Sequence, residues 1–135
     1  MSSVYPGILN FIALGDLDWT THADGFRVYA TSEGYNASHV ELQDLSGLLG
    51  YVNLSSRVIV SPSAGVVGFD CADFTIPAIT GVVAGLVLVR YSAGDPDASE
   101  LVAYLNDASG FPFTMTGASL NITVGSAGLF SVGVP

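Results

Sequence analysis

The chain is 135 residues long, half apolar and only 11% charged, with three arginines, no lysine and twelve acids for a net charge of −9. One domain of this size buries roughly 70% of its unfolded surface, and so apolar a composition excludes a disordered tail or a zinc-stapled miniature. Counterion release needs clustered Lys or Arg, so neither nucleic acid nor an anionic membrane surface is expected as a partner.

Taken in chain order, Pro6 is placed for the first turn of a short helix through Ile8, Leu9, Phe11, Ile12 and Leu14. Gly15 would stop it in a left-handed cap, although so apolar a run also suits an edge strand. Residues 26–30 alternate, with Phe26, Val28 and Ala30 on one face and Arg27 and Tyr29 on the other, which predicts a strand. Ser38 with Glu41 three positions on reads as a capping box. Val40 and Leu45 would anchor that short helical turn, and Gly47 or Gly50 would end it.

Strands follow at 57–60 and 72–76, the second with Ala72, Phe74 and Ile76 inward and Asp73 and Thr75 outward. Residues 82–91 are nearly continuous apolar sequence, broken near the end by Arg90; such a run predicts a strand covered on both faces. Pro96 between Asp95 and Asp97 marks a turn, and residues 101–105 return antiparallel. Gly110 and Pro112 make the next break. Leu120, Ile122 and Val124 then share a face against Asn121 and Thr123, and residues 129–134 close the chain. Seven or eight short strands at about ten-residue spacing predict a mainly β chain. The expected architecture is a single-domain β-sandwich or jelly-roll-like fold over residues 1–135, with a short N-terminal helix or arm.

Cys71 is the only cysteine, which precludes an internal disulfide, and its neighbours Phe69, Ala72 and Phe74 mark it as a small buried hydrophobe. The start of the chain lacks the basic and long apolar regions of a secretory signal. The greasiest run, residues 76–89, contains Pro77, Gly81 and Gly85 and falls short of the roughly 20 residues that span a bilayer. A soluble product of a bacterial cytoplasm is the expectation. Sequons at Asn36, Asn53 and Asn121 matter only on a eukaryotic secretory route.

Candidates for chemistry are sparse. His22 and His39 stand seventeen positions apart with no second ligand at metal spacing. No Gly-x-Ser-x-Gly elbow accompanies the serines. Asp16 with Asp18, and Asp95 with Asp97, are oxygen pairs without the further ligands of a calcium loop. No glycine run cradles phosphate. No enzyme activity, cofactor or metal is therefore expected. Apolar excess is the remaining signal. Ile8, Leu9, Phe11, Ile12, Leu48, Leu49, Tyr51, Phe111 and Phe113 exceed what a small sandwich plainly needs, with Val52 beside them. They are the candidate protein-interaction residues, since large exposed apolar patches mark such sites.

An ordered set of motifs resembles a family of small virion structural proteins of tailed bacteriophages. These open with a brief helix ending in Gly-Asp-(Ile/Leu)-Asp-Trp, and this chain has Gly15-Asp-Leu-Asp-Trp19. An Ile-Arg-Val-x-Leu strand is similar to residues 26–30, and a His-Glu-Phe-Leu-x-Asp-Ile segment to residues 39–45, with the first acid displaced by one. Residues 71–76 and 87–91 resemble the family's Ala-Asp-Asp-Val-Thr-Phe and Ala-Leu-Val-Ile-Tyr strands. Its Leu-Ile-Ala-Tyr-Ile-Asp-x-Ala-x-Gly-Leu-Pro-Val-Thr run is matched without a gap by residues 101–114. The charged helix face usual in the family is missing, and residues 48–56 differ.

The resemblance implies a capsid decoration (cement) protein on the capsid exterior of the virion. Its partners would be the major capsid protein and itself, as a homo-oligomer and by first choice a trimer. A tail or head-to-tail component is the alternative. A carbohydrate-binding sandwich stacking sugars on Trp19 and tyrosines is a third reading.

Overall fold

The computed structural model describes residues 3–9, 12, 14, 17–106 and 111–133. It is mainly β and sandwich-like. Its strands are β1 (Ser3–Val4), β2 (Phe26–Thr31), β3 (Leu48–Asn53), β4 (Val58–Ser63), β5 (Val66–Asp70), β6 (Phe74–Val83), β7 (Gly85–Arg90), β8 (Glu100–Leu105), β9 (Phe113–Ile122) and β10 (Phe130–Gly133). They form a five-stranded sheet in the order β1-β8-β7-β2-β3, a three-stranded sheet β10-β5-β4 and a two-stranded ribbon β6-β9. Every pairing is antiparallel.

The centre of the large sheet, strands β2, β7 and β8, is largely buried on both faces, and the side-chain alternation of these strands says why. Phe26, Val28, Ala30, Leu86 and Leu88 point into the main core with Trp19, Phe69, Ile76 and Ile79. Tyr29, Val87 and Val89 point the other way, into a smaller core closed by Tyr5, Leu42, Leu45, Leu101 and Tyr104. The apolar run of β7 thus has apolar partners on either side, as a doubly covered strand requires.

Several expectations need correction. The run at 82–91 is not one strand. It breaks at Ala84, whose N–H donates to the Thr31 carbonyl at 2.8 Å, and the chain passes there from the ribbon into the large sheet. Gly85 is required at the crossing, because a Cβ would stand 2.5 Å from the Tyr104 ring. The strands expected at 57–60 and 72–76 begin at Val58 and Phe74 and run on to Ser63 and Val83; Phe74 and Ile76 are buried, with Thr75 exposed between them.

The capping box lies three residues later than the sequence suggested. Glu41 caps a 3-10 turn at Leu42–Asp44. The Asp44 carboxylate accepts the N–H groups of Glu41 at 3.0 Å and Val40 at 2.9 Å. Ser38 instead belongs to a local turn on the Asn36 side chain. Val40 is exposed, and Leu42 joins Leu45 as the buried anchor. Near the N-terminus, where the sequence predicts a helical segment through Leu14, Leu9 and Ile12 are helical and are preceded by a 3-10 turn, Pro6–Ile8. It is tethered by the Tyr5 N–H to the Val102 carbonyl at 3.0 Å. Phe11 and the Gly15 cap lie outside the described residues.

Candidate functional site

The nine candidate interaction residues do not form one patch. Ile8 is wholly buried in the main core, so its side chain is packing and not adhesive surface. Leu9 is 54% exposed. Ile12 and Leu49 pack partly against the main core. Leu48 and Tyr51 are exposed on the edge strand β3. Phe111 and Phe113 pair their rings at 5.1 Å and pack partly against the core. Phe11 is again outside the described residues.

The β4–β5 hairpin also exposes apolar side chains, Ile59 and Val67 on one face and Val58 on the other. Val58, Ile59 and Val67 are 46%, 50% and 43% exposed on β4 and β5. Ile59 and Phe69 face each other in the β4–β5 register. They line an open cleft of about 280 Å³ with Ile12, Leu17 and Trp19, joined by Asp18 and Thr20. Strands β3, β4, β6, β9 and β10 carry no charged residue at all, and β5 carries only Asp70. In a chain of −9 the charge is therefore concentrated elsewhere, on loops and on the β7–β8 end. Sequence reading missed this surface, although the uncharged stretch at 58–69 was its visible signal.

The base of the cleft is rigid. Trp19 is buried and donates its indole N–H to the carbonyl oxygens of Val58 and Asp70, each at 3.0 Å. Its ring sits 4.7 Å from Phe26 and edge-on to Phe69 and Phe130. Trp19 is therefore a core residue and offers no face to a sugar.

All three arginines are placed by aromatic or polar neighbours. Arg90 binds Asp18 through Nε at 3.0 Å and Nη2 at 3.2 Å, and lies 3.5 Å from Glu100. Burial would raise the Asp18 carboxyl, but the Arg90 hydrogen bond and charge, with His22 beside them, hold it below its ordinary value. Arg57 donates to the carbonyls of Trp19 and His22. Arg27 lies over the rings of Tyr51 at 4.2 Å and Tyr91 at 3.6 Å. The β2 alternation placed Arg27 outward; the tyrosines that bracket it come from β3 and from the residue after β7, which local pattern does not reveal.

His22 sits between Asp18 and the Tyr91 carbonyl oxygen. Among the described residues no three His, Cys, Asp or Glu side chains converge as a metal site would require. Cys71 is buried, and its thiol is pushed up to about 11 by that burial and by the nearby Asp70 and Asp73 carboxylates.

No protein-family model, curated protein or solved structure matches the chain. The functional reading rests on the residues and where the fold puts them.

Proposed function

We propose that the chain is a capsid decoration (cement) protein of a tailed bacteriophage. It adheres to the outer surface of the head, bridges neighbouring major capsid subunits and associates with its own copies, as a trimer. It works by adhesion and carries out no reaction. The observation that supports this most is the β4–β5 hairpin, whose one charged residue is Asp70 and which leaves Ile59 and Val67 exposed on one face and Val58 on the other, since exposed apolar area on a small protein marks an interaction site. The ordered motif resemblance supplies the class of partner. Modest contacts of this kind gain strength by repetition, because symmetry multiplies each one into avidity.

Quantitative densitometry of purified particles tests the reading. Decoration requires hundreds of copies per head, with binding to expanded shells and not to contracted precursors. A count of a few dozen or fewer overturns it in favour of a tail or head-to-tail component.

A further inference from the structure

The open half of the large sheet's outer face carries a group with no assigned role. The 3-10 turn at Leu42–Asp44 covers part of that face through Leu42 and Leu45, while Arg27, Tyr51 and Asn53 lie beyond it on β2 and β3. The Arg27 guanidinium is stacked between Tyr51 and Tyr91. Its Nε donates to Asn53 Oδ1 at 2.8 Å and its Nη1 reaches the Tyr29 hydroxyl at 3.4 Å. Ion pairs among the described residues involve Asp18, His22, Arg90 and Glu100, and none involves Arg27. Of the three arginines, Arg27 and Arg57 have no ion pair among the described residues; Arg57 is taken up by the backbone carbonyls of Trp19 and His22, whereas Arg27 is half-buried between rings.

We infer that the Tyr51–Arg27–Tyr91 stack is a docking element that receives an acidic side chain of the capsid shell protein. This rests on the proposed attachment to the shell and names the chemistry of that contact. A guanidinium presents N–H groups in a planar fork that matches the two oxygens of a carboxylate. Stacking on two rings fixes the fork beforehand, so little side-chain freedom is lost when the partner arrives. Tyr and Arg together are the residue types that dominate interface energetics. The ligand is a single carboxylate and not a phosphate backbone, because a net charge of −9 repels a polyanion while an isolated acid on a protein surface brings little field with it.

Co-sedimentation of the purified protein with empty expanded shells, at low and high salt, tests the inference. Arg27→Ala and Arg27→Lys are compared with the wild type, and circular dichroism confirms that each is folded. Both variants should bind about tenfold more weakly or worse, and wild-type binding should fall with salt. Arg27→Lys keeps the charge and the stem but not the fork, so it decides the matter even if Arg27→Ala unfolds. Lys binding at wild-type affinity overturns the inference while leaving shell attachment intact. A wild-type protein that does not sediment with shells overturns the attachment reading and this inference with it.

Discussion

Asp18 and Arg90, seventy-two residues apart in the chain, meet through both carboxylate oxygens at 3.0 and 3.2 Å. The contact fastens the loop after the N-terminal segment to the end of β7, directly beside buried Trp19. Asp18→Asn keeps the shape and removes the charge. Urea denaturation should show a loss of about 1–2 kcal/mol, the range of a partly exposed, charge-assisted pair. A midpoint equal to that of the wild type would show that the loop is held by Trp19 alone.

Asp18 also carries a pH dependence, shared with Glu33 and Asp44. The Glu33 carboxylate accepts hydrogen bonds from the Ser46 hydroxyl and the N–H groups of Ser46 and Gly47. These bonds, the hydroxyl's foremost, hold its carboxyl below the ordinary value. The Glu41 and Val40 N–H groups do the same for Asp44. A carboxyl depressed in the folded state stabilises it above the unfolded value of about 4 and loses that contribution as pH falls through the folded value. Melting temperature should therefore be flat from neutrality down to about pH 5 and fall below about pH 4. Asp44→Asn should shrink the fall. An unchanged profile in that variant would mean the turn carries none of it.

The sandwich was readable because its strands obey simple rules. Residues 26–30 alternate, and the apolar run after Gly85 has to be covered on both faces; each is a local statement about side-chain direction. What escaped was non-local. That the run from Val82 switches sheets at Ala84 depends on the Tyr104 ring filling the space where a Gly85 Cβ would sit, and no window of sequence contains both residues. The Asn36 turn likewise claims Ser38 for itself, so the cap passed to Glu41 and Asp44. The candidate site fared less well for a related reason. Counting apolar residues cannot separate Ile8, which packs inward, from Ile59, which does not, because the difference lies in which elements happen to cover each one.

Cys71 should behave as an inert thiol. Its burial and a thiol raised to about 11 leave little thiolate at pH 8, and thiolate is the reactive form. Ellman's reagent should label the native protein at least about a hundredfold more slowly than the urea-unfolded chain. Comparable rates would place the thiol at the surface.

Ile76 and Ile122 separate the core from its margin. The two lie on paired strands, but Ile76 is fully buried and Ile122 only partly so. Truncating Ile76 to Ala should cost about 2–5 kcal/mol as a cavity. Ile122→Ala should cost about 1 kcal/mol, since less apolar area leaves water at that site. Alternation along residues 120–124 puts Ile122 on the apolar face, but its position there is only partly buried. Equal losses at both sites in chemical denaturation would mean that β9 is covered as thoroughly as β6.

Ile59 offers the sharpest separation of folding from adhesion. Its side chain is half exposed opposite Phe69 on a sheet whose strands carry one charged residue, Asp70. Ile59→Asp places a carboxylate where water already reaches, so stability should fall by no more than about 1 kcal/mol. The same carboxylate would have to be stripped of water wherever the β4–β5 surface meets a neighbour. Burying an unpaired charge is expensive enough to abolish a contact built from modest apolar area. Light scattering and shell co-sedimentation of this variant should therefore report a folded protein with attachment or self-association lost. Full assembly of Ile59→Asp at wild-type concentration would move the adhesive surface away from β4 and β5, whatever the chain attaches to.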